Sequence, residues 1–455
     1  MTPRLEITPL PHRVDPLAYF TALRHRPGAV LLDSGRPAAP GGRYDILSSD
    51  PLCLLEIDAE GRVHGDPTLA GLSPFAAQQA LLDRLPTTVP DSELPFLGGL
   101  IGYWSYDLAH HLEPVTRRAR RIVELPSSRV GLHDWALIQD HVRQETWLVA
   151  TPERRRQVSE WLASPPPPTG DFHLTGAFEG EMDRDGYLRR FDAVQRYIRA
   201  GDCYQINLAQ RFSAPYEGDL WAAYQRLRRA TPTPFAGYMA WGDKAILSLS
   251  PERFLRSRDD WIETRPIKGT RPRGATPGAD RRLAMELETS LKDRAENVMI
   301  VDLLRNDLGR VCRPGSVQVP QLCGLESYAN VHHLVSVIIG ELAPDRRPLD
   351  LLAAAFPGGS ITGAPKVRAM QIIDELEPCR RSVYCGSLGY VDVRGCMDTS
   401  IAIRTAVADR GYLHLWGGGG LVADSRGEDE YAETLDKIRH LMHALTTAGD
   451  QHYME

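Results

Sequence analysis

The stretch "AGYMAWGDKAILSLSPERFLRSRDDWIETRPIKG" (Ala236–Gly269) decides the predicted fold class of this chain. Three runs within it, "AGYMAWG", "AILSLSPERFL" and "WIETRPIKG", have the composition of β-strands and follow one another without a helix between them. Consecutive strands are typical of α+β proteins with antiparallel sheets, whereas a doubly wound parallel sheet alternates strands with helices. The stretch therefore favours an α+β fold built on antiparallel sheets.

Helices and further strands are predicted on both sides of this stretch. Before it, "DGYLRRFDAVQRYIRAGD" has the apolar spacing of an amphipathic helix, and "CYQINLAQRFSA" is typical of a strand. After it, a long helical segment (Asp280–Arg310) is expected to break near Thr289–Ser290. The remaining predicted elements are the strand "HHLVSVIIGEL", the helix "APKVRAMQIIDEL", the strands "SVYCGSLGYVDV", "TSIAIRTAVA" and "YLHLWGGG", and the closing helix "EDEYAETLDKIRHLMHAL".

The sequence divides into three predicted regions. Residues 1–165 alternate short strand-like runs with probable helices, such as "PFAAQQALLDRL" and "RRRQVSEWLA". Residues 166–180 form a linker, because the "SPPPPTG" at its start is too rich in proline for a helix or a sheet. Residues 181–450 carry the candidate functional motifs and are predicted to be the catalytic region.

Composition and charge exclude several classes of protein. The 455 residues are 42% hydrophobic and 25% charged, as in ordinary globular proteins, and the net charge of −6 argues against nucleic acid as the main partner. The seven cysteines include no C-x-x-C pair, so reduced thiols are expected rather than disulfides or a zinc site. The sequence shows no signal peptide and no apolar run of membrane-spanning length, which predicts a soluble cytoplasmic protein without a membrane partner.

Two pairs of carboxylates have the spacing of a shared helix face. Asp293 and Glu296 are three residues apart on the long helical segment. Glu430 and Glu433 have the same spacing near the C-terminus, and Lys437 continues their face. Two such faces can converge on Mg²⁺, which needs only one or two protein carboxylates. The alternative interpretation is that both pairs are solvated surface residues.

Two glycine-rich segments could hold anions. In "LWGGGGLVADS", Gly417–Gly420 would allow backbone N–H groups to approach a carboxylate closely. "FPGGSITGAPK" resembles a phosphate loop, but Ala364–Pro365 stand where Lys-Ser/Thr should follow, so a nucleoside triphosphate site is excluded. Tight turns are the alternative for both segments.

Seven motifs occur in the order found in the chorismate-utilising enzymes, which include anthranilate synthase component I, aminodeoxychorismate synthase component I, and the isochorismate and salicylate synthases. The resemblance is dense from Glu181 to His440 and reaches the N-terminal region through "LLDSG" and "PFLGGLIGYWSYDL". It implies a fold of two intertwined αβ subdomains, whose antiparallel sheets form a β-sandwich flanked by helices. The motifs are "PIKGTRPRG", "KDRAENVMIVDLLRNDLGRVC", "VHHLVS", "FPGGSITGAPKVRAMQIIDELEP", "YCGSLGY", "IAIRT" and "GGGGLVADSRGEDEYAETLDK".

The resemblance also implies roles for particular residues. Glu296 and Glu433 match the ligands of a Mg²⁺ that binds the ring carboxylate of chorismate, with Asp293 and Glu430 assisting through water. Asp293 departs from the glutamate of some relatives. The residues implied to bind the substrate are Arg404 and Tyr384, with backbone of Gly418 and Gly420, for the enolpyruvyl carboxylate; Thr270, Ser360 and Lys437 for the ring carboxylate; and His333 near the ring hydroxyl. Arg404 as a sheet-edge charge and His333 as a core histidine are the alternatives.

One lysine points to a branch of this family. Isochorismate and salicylate synthases have a water-activating lysine where this chain has Gln205, and anthranilate synthases have alanine in "PIAGT" where this chain has Lys268. "PIKGT" is similar to aminodeoxychorismate synthases. Lys268 is then a nucleophile at C2, and Glu252 in "SLSPERF" is the general acid. The nearby Arg265, Arg271 and Arg273 are hypothesised to favour the neutral amine.

The resemblance implies a partner and leaves alternatives open. No glutaminase region is visible in the sequence, so ammonia is expected from a separate glutamine amidotransferase subunit. The rival interpretations are an anthranilate synthase component I with an atypical lysine and a catalytically silent homologue. Ser34 in "LLDSG", together with "TPTPF" (Thr231–Phe235), resembles the tryptophan pocket of relatives, or else Ser34 only caps a strand-turn.

Overall fold

The computed structural model describes residues 4–13, 15–39, 41–328 and 331–446. Within this described part the chain forms two large antiparallel sheets, one of 13 and one of 11 strands, with ten α-helices around them. The predicted α+β class is therefore confirmed. The described residues contain no helix that combines the length and the apolar composition needed to cross a bilayer.

The first sheet combines strands from the N-terminal, middle and C-terminal parts of the chain. In spatial order its strands are β1 (Glu6–Leu10), β9 (Glu145–Ala150), β8 (Ala136–Asp140), β3 (Tyr44–Ser48), β2 (Val30–Asp33), β13 (Phe235–Trp241), β14 (Lys244–Ser250), β23 (Thr405–Asp409), β24 (Tyr412–Leu421), β12 (Gln205–Gly218) and β10 (Phe172–Leu174), and β11 (Glu179–Gly180) and β20 (Gly363–Ala364) also pair with β12.

The second sheet faces the first across the main apolar core. Its spatial order is β17 (Ile267–Pro272), β19 (Val331–Glu341), β16 (Trp261–Thr264), β15 (Arg253–Arg258), β22 (Met397–Ile401), β21 (Ser387–Asp392), β6 (Gly99–Trp104), β7 (Ser128–His133), β4 (Cys53–Ile57) and β5 (Val63–His64), and β18 (Gln318–Ser327) also pairs with β19.

Helices cover the sheets from outside. They are α1 (Ala18–Leu23), α2 (Pro74–Leu82), α3 (Pro152–Ala163), α4 (Arg184–Ala200), α5 (Leu220–Ala230), α6 (Pro277–Thr289), α7 (Leu291–Gly309), α8 (Pro348–Ala355), α9 (Lys366–Leu376) and α10 (Gly427–Thr446), with short 3₁₀ turns at Pro67–Leu69, Tyr106–His111 and Gly359–Ile361.

Both sheets combine strands from distant parts of the chain. In the first sheet β2 pairs with β13, so that Leu31 lies opposite Tyr238. In the second sheet β6 pairs with β21, and Tyr103 lies opposite Leu388. The N-terminal strands are therefore built into the same sheets as the strands of the predicted catalytic region. The division at residues 165 and 181 stays a prediction, and residues 447–450 of its last region lie outside the described part.

The expected break in the long helical segment is confirmed. Helix α6 ends at Thr289, and the side chain of Ser290 accepts a hydrogen bond from the backbone N–H of Asp293, which caps the start of α7. A side-chain cap of this kind satisfies an N–H group that has no partner within the helix. The cap also sets the direction of α7, and with it the positions of Asp293 and Glu296.

Three predicted strands are each divided into two strands. "AILSLSPERFL" gives β14 and β15, and "TSIAIRTAVA" gives β22 and β23; in both cases the two strands belong to different sheets. "WIETRPIKG" gives β16 and β17, which lie on either side of β19. The chain turns near Pro251, Pro266 and Arg404, the last of which has a φ of 50°.

Another predicted strand begins later than expected. The pattern "SVYCGSLGYVDV" predicts a continuous strand, but β21 begins only at Ser387. Ser382 and Cys385 have left-handed backbone angles, φ of 52° and 63°, which lie outside the extended conformation of a regular strand. They form a turn closed by a hydrogen bond from the backbone N–H of Gly386 to the carbonyl of Val383. Tyr384 therefore lies on a turn rather than on a strand.

Candidate active site

A cavity of about 440 Å³ gathers residues from both sheets and from helices α7 and α10. It contains every residue predicted to be catalytic or substrate-binding, and three of the four predicted metal ligands; the fourth, Glu430, is buried directly behind it. The predicted residues that line this active-site cavity are Glu252, Lys268, Thr270, Asp293, Glu296, His333, Ser360, Tyr384, Arg404, Gly418, Gly420, Glu433 and Lys437.

Lys268 reaches the cavity from β17, at a bulge in the pairing of β17 with β19. Gly269 at the bulge has a φ of 72°, a conformation that favours glycine. The Nζ of Lys268 donates a hydrogen bond to the carbonyl oxygen of Ser360 at 3.0 Å. Burial lowers the pKa of Lys268 below its ordinary value, although the carboxylates of Glu296 and Glu252 act against this. Lys268 is thus a buried amine with a raised fraction of its nucleophilic form.

The hypothesis that neighbouring arginines favour the neutral amine is wrong about the cause. The pKa of Lys268 falls because the side chain is buried, and the like charge that contributes is Lys437. Each of the three arginines instead forms ion pairs with nearby carboxylates. Their partners are Glu326 for Arg265, Glu286 and Asp293 for Arg271, and Asp280 for Arg273.

Glu252 lies in the turn between β14 and β15, buried beside the same serine that holds Lys268. The hydroxyl of Ser360 donates a hydrogen bond to its carboxyl group at 3.1 Å. Burial raises the pKa of Glu252 above its ordinary value, and the positive charge of Lys268 acts in the opposite direction. A carboxyl group that keeps its proton more readily is suited to act as a general acid. Ser360 therefore links the candidate nucleophile and the candidate acid.

His333 on β19 is a neutral hydrogen-bonding group at physiological pH. Burial and the positive charge of Arg404 lower the pKa of His333 to about 4. Its Nδ1 lies 2.9 Å from the hydroxyl of Thr270 on the neighbouring strand β17. The imidazole can orient a ligand hydroxyl from this position, but it does not carry a proton to donate as an imidazolium.

Arg404 is a buried guanidinium group that faces the cavity. It lies between β22 and β23 with a φ of 50°, and burial alone lowers its pKa. Among the described residues Arg404 forms no ion pair with a carboxylate, in contrast to the three arginines around Lys268. An unpaired buried charge is costly, so a site of this kind is suited to an anionic ligand. This placement contradicts the alternative of a sheet-edge charge.

Tyr384 lies beside the glycine-rich strand β24. Its ring stacks on Trp416 with 5.9 Å between ring centroids, which holds the phenol against the cavity wall. A Cβ atom on Gly418 would lie 2.9 Å from the phenolic oxygen of Tyr384, so only glycine permits this approach. The glycines of β24 are strand residues, paired with β12, rather than the tight turns of the alternative interpretation.

The glycines of β24 also allow helix α10 to approach the cavity. A Cβ atom on Gly417 would lie 2.0 Å from the backbone oxygen of Thr434, which no real side chain tolerates. Close contact at this point brings the α10 side chains over the strand, and the Nζ of Lys437 donates a hydrogen bond to the carbonyl of Gly418 at 2.8 Å.

The acidic side chains of the two helices converge at one end of the cavity. The Nζ of Lys292 on α7 lies 3.6 Å from a carboxylate oxygen of Glu430 and 4.0 Å from one of Glu296. Burial raises the pKa of Glu296 and of Glu430, and other carboxylates nearby add to both shifts. Burial also acts to raise the pKa of Glu433, but Lys437 holds it below its ordinary value.

These carboxylates fit a cation such as Mg²⁺. No three or more His, Cys, Asp and Glu side chains of the described residues form a ready-made metal cage. Mg²⁺ does not require one, because it keeps waters and takes oxygens from its substrate. Glu296 and Glu433 line the cavity from two different helices, and a divalent cation would offset the repulsion among the neighbouring carboxylates. The side chains of Asp293, Glu296 and Glu430 are 18%, 14% and 4% exposed, so these three are not the solvated surface residues of the alternative interpretation, whereas Glu433 is 47% exposed.

Three polar or aromatic residues that line the cavity were not singled out from the sequence. Asn207 on β12 is buried, and its Oδ1 has no hydrogen-bond partner within the described chain. Lys292 pairs with the acidic cluster, and Trp416 supports Tyr384. Asn207 and Trp416 have the alternating pattern of strand residues, which gives no hint of the cavity. Only the charge of Lys292 beside Asp293 offered a clue in the sequence.

Ser34 lines a separate cavity of about 140 Å³. Its hydroxyl donates a hydrogen bond to Asp45 at 2.7 Å, and Pro234 and Phe235 of the "TPTPF" stretch line the same cavity. The two stretches that resemble the tryptophan pocket of relatives thus meet in space. Tryptophan binding at Ser34 stays a prediction.

The fold and the cavity agree with comparisons of the whole chain with known proteins. The model of the chorismate binding enzyme family matches residues 30–443. The chain therefore belongs to the chorismate-binding enzymes.

Two relatives and one solved structure show which members of the family this chain is similar to. Aminodeoxychorismate synthase component 1 of Salmonella typhimurium is 49% identical over 96% of this chain and 97% of its own length. The protein of the same name from Escherichia coli is 47% identical over 94% of this chain and 95% of its own length. Among solved structures, anthranilate synthase component I of Streptococcus pneumoniae is similar with a TM-score of 0.79 and 29% identity, covering 88% of this chain and 92% of that one.

Proposed function

We propose that this chain is the chorismate-converting component of an aminodeoxychorismate synthase, which makes 4-amino-4-deoxychorismate from chorismate and ammonia for 4-aminobenzoate and folate synthesis. The observation that carries the proposal is the buried amine of Lys268, held with Glu252 by Ser360 in one cavity. The similarity to the Salmonella typhimurium and Escherichia coli proteins of that name supports it.

Chorismate is a dianion, and the charges of the cavity are arranged for two carboxylates. Arg404 and Tyr384 bind the enolpyruvyl carboxylate, because the guanidinium group of Arg404 faces the cavity and forms no ion pair with the described residues. The ring carboxylate lies toward Thr270, Ser360 and Lys437, near the acidic cluster. Glu296 and Glu433 would hold Mg²⁺, assisted by Asp293 and Glu430, and the cation would supply positive charge that offsets the ring carboxylate.

The first chemical step forms a bond between Lys268 and the substrate. The neutral amine attacks C2 of the ring, the diene shifts, and the bond between C4 and its hydroxyl breaks. Glu252 gives its proton to the departing hydroxyl, which leaves as water. His333 orients this hydroxyl as a neutral hydrogen-bonding partner. The amine nitrogen loses a proton as the covalent adduct forms, and the Glu252 carboxylate beside it can accept one.

The second step exchanges lysine for ammonia. Ammonia attacks C4, the double bonds shift back, and the bond between C2 and the Lys268 nitrogen breaks. The proton released by the incoming nitrogen balances the proton taken up by the lysine. The enolpyruvyl group is retained throughout, so the product differs from chorismate only in carrying an amino group at C4. Lys268 thus occupies the C2 position that ammonia attacks directly in the anthranilate synthase reaction.

Ammonia is supplied by a glutamine amidotransferase subunit. The names of the Salmonella typhimurium and Escherichia coli relatives, component 1, imply a second component. The ammonia-producing activity is accordingly assigned to that second component. Ammonium at high concentration should replace it in the test tube.

The proposal is tested by incubating the protein with chorismate, Mg²⁺ and ammonium, and identifying the product by mass spectrometry. We expect 4-amino-4-deoxychorismate and no fluorescent anthranilate. Anthranilate as the main product would instead assign the chain to the anthranilate synthase reaction. No turnover despite normal binding of Mg²⁺ and chorismate would indicate a catalytically silent homologue.

A further inference from the structure

Helix α7 has apolar residues on its solvent face as well as on its buried face. Ile300, Val301 and Leu304 are buried in the core, as expected for a helix that covers a sheet. On the opposite side Leu291 is 85% exposed and Val298 is 39% exposed, with the exposed Ala295 between them. The spacing of these three residues, four and then three apart, places them on one face. The solvent face of a helix is normally polar, so these exposed apolar side chains mark a surface that a partner could cover.

A shallow groove of about 630 Å³ runs along this exposed face. One wall is α7, through Ala295, Val298 and Met299. The other wall holds Tyr204, which is 68% exposed just before β12, and Pro365 just before α9. Tyrosine and methionine are enriched at protein interfaces, and the groove contains one of each.

Charges at the edge of the groove indicate the chemistry of what covers it. Arg294 lines the groove, is exposed, and forms no ion pair with any residue of the described chain. Asp302, at the other end of the groove, is paired with Arg305. An arginine at the rim of an apolar patch is well suited to bind a carboxylate of a partner.

The groove lies one helix diameter, roughly 10 Å, from the active-site cavity. Both are bounded by α7, because Asp293 and Glu296 face the active-site cavity while Ala295 and Val298 face the groove. Both are also bounded by the segment 360–365, whose first residues line the active-site cavity and whose last residues line the groove.

We infer that this groove, formed by Tyr204, Arg294, Ala295, Val298, Met299 and Pro365, is the docking surface for the glutamine amidotransferase subunit. The inference rests on the proposed function, in which ammonia must reach C4 of the bound substrate. Ammonia that escapes into water is protonated and loses the lone pair with which it attacks. The subunit that releases it therefore has to sit beside the active-site cavity, and this apolar surface adjoins it. A second copy of this chain has no such reason to bind here.

Val298→Asp tests the surface, with Val142→Asp as the matched control. Val142 is a 60% exposed valine in the turn between β8 and β9, away from both the groove and the active-site cavity. Turnover is measured twice for each variant, with ammonium alone and with glutamine plus the amidotransferase subunit that gives glutamine-dependent turnover with the unaltered chain. Binding of that subunit is measured by calorimetry.

We expect Val298→Asp to keep ammonium-dependent turnover within about twofold and to lose at least about tenfold in glutamine-dependent turnover and in affinity for the subunit. Arg294→Glu, which leaves the apolar residues in place, should weaken binding in the same direction, and Val142→Asp should change neither. Unchanged glutamine-dependent turnover in Val298→Asp overturns the inference. So does a dimer of this chain that the same substitution dissociates, because the groove would then bind a second copy. Failure of ammonium-dependent turnover in the unaltered chain refutes the proposed function instead, and the calorimetric measurement still tests the docking surface.

Discussion

At the scale of single residues, two side chains define the proposed chemistry: the pKa of Lys268 is lowered and the pKa of Glu252 is raised. Lys268 and Glu252 both contact Ser360, and burial drives both toward their uncharged forms. A neutral amine and a protonated acid in one cavity are the two groups that a lysine-mediated displacement of a hydroxyl requires.

Replacing Lys268 removes the candidate nucleophile. With chorismate and Mg²⁺ but without ammonia, intact-mass analysis of the unaltered chain should show an adduct equal to chorismate minus water. Lys268→Ala should form none, and ammonium-dependent turnover should fall by roughly a hundredfold or more. Lys244→Ala, which removes a lysine on β14 that pairs with Asp243, is the control and should form the adduct normally. Undiminished synthesis of the same product by Lys268→Ala would refute the covalent route.

The pH dependence of adduct formation reports on burial of the amine. Because only the neutral amine attacks, the rate should rise with pH as Lys268 loses its proton. The folded pKa is lowered, so the midpoint of this rise should lie below the ordinary lysine value of 10.5. Stopped-flow or quench-flow mass measurements across a pH series give the midpoint. A midpoint at or above 10.5 would show that burial does not activate this side chain.

At the scale of elements, helices α7 and α10 matter because each brings carboxylates to the same end of the cavity. Asp293 and Glu296 depend on the direction that the Ser290 cap gives α7, and Glu430 and Glu433 depend on the close approach of α10 to the glycines of β24. The proposed metal site therefore depends on the positions of two helices rather than on either helix alone.

Removing one carboxylate from α10 should weaken the metal site. We expect Glu433→Gln to lower the affinity for Mg²⁺ by about tenfold or more, because one of the two carboxylates proposed to bind the cation directly loses its charge. Glu428→Gln, an exposed residue of the same helix paired with Arg184, is the matched control. Calorimetric titration of Mg²⁺ into each variant measures the effect. Equal affinities for the two variants would contradict the assignment of Glu433.

The approach of α10 can be tested at Gly417. A methyl group there would lie 2.0 Å from the backbone oxygen of Thr434, so Gly417→Ala must displace the helix or the strand. We expect a loss of stability of about 1–3 kcal/mol, as for other overpacked sites, together with weaker Mg²⁺ binding. Gly411→Ala is no suitable control, because its φ is 77°. Gly278→Ala, in open space on α6, should leave Mg²⁺ binding unchanged.

At the scale of the whole molecule, both sheets depend on strands from both ends of the chain. The first sheet would be cut at the β2–β13 pair, and the second at the β6–β21 pair, if the N-terminal strands were removed. Each cut would expose a long unpaired edge and part of the main core. The active-site cavity, which both sheets line, is stable only as part of this shared architecture.

Unfolding should accordingly be one cooperative event. We expect urea to give a single transition, with the same midpoint by far-ultraviolet circular dichroism and by tryptophan fluorescence. The tryptophans report on different places, since Trp104 lies on β6 of the second sheet and Trp221 on helix α5 beside the first. Two separated transitions would show that the N-terminal and catalytic regions fold independently.

The sequence by itself determined the class of fold, the order of most elements and the identities of the residues that meet in the cavity. Periodicity and capping act within a few residues, so the strand-forming stretches and the break at Ser290 could be predicted from local pattern, and the motifs around Lys268, Glu296 and Glu433 pointed to the family. The turns that divide three of the predicted strands into two could not be predicted in this way. What these residues do to one another was decided by the tertiary structure. Burial, not the neighbouring arginines, lowers the pKa of Lys268, and the strand expected at Tyr384 begins only at Ser387. The place of Asn207 in the cavity and the exposure of apolar residues on α7 could not be predicted from the sequence. Both depend on how distant segments pack, because burial and the proximity of charges are set by neighbours in space.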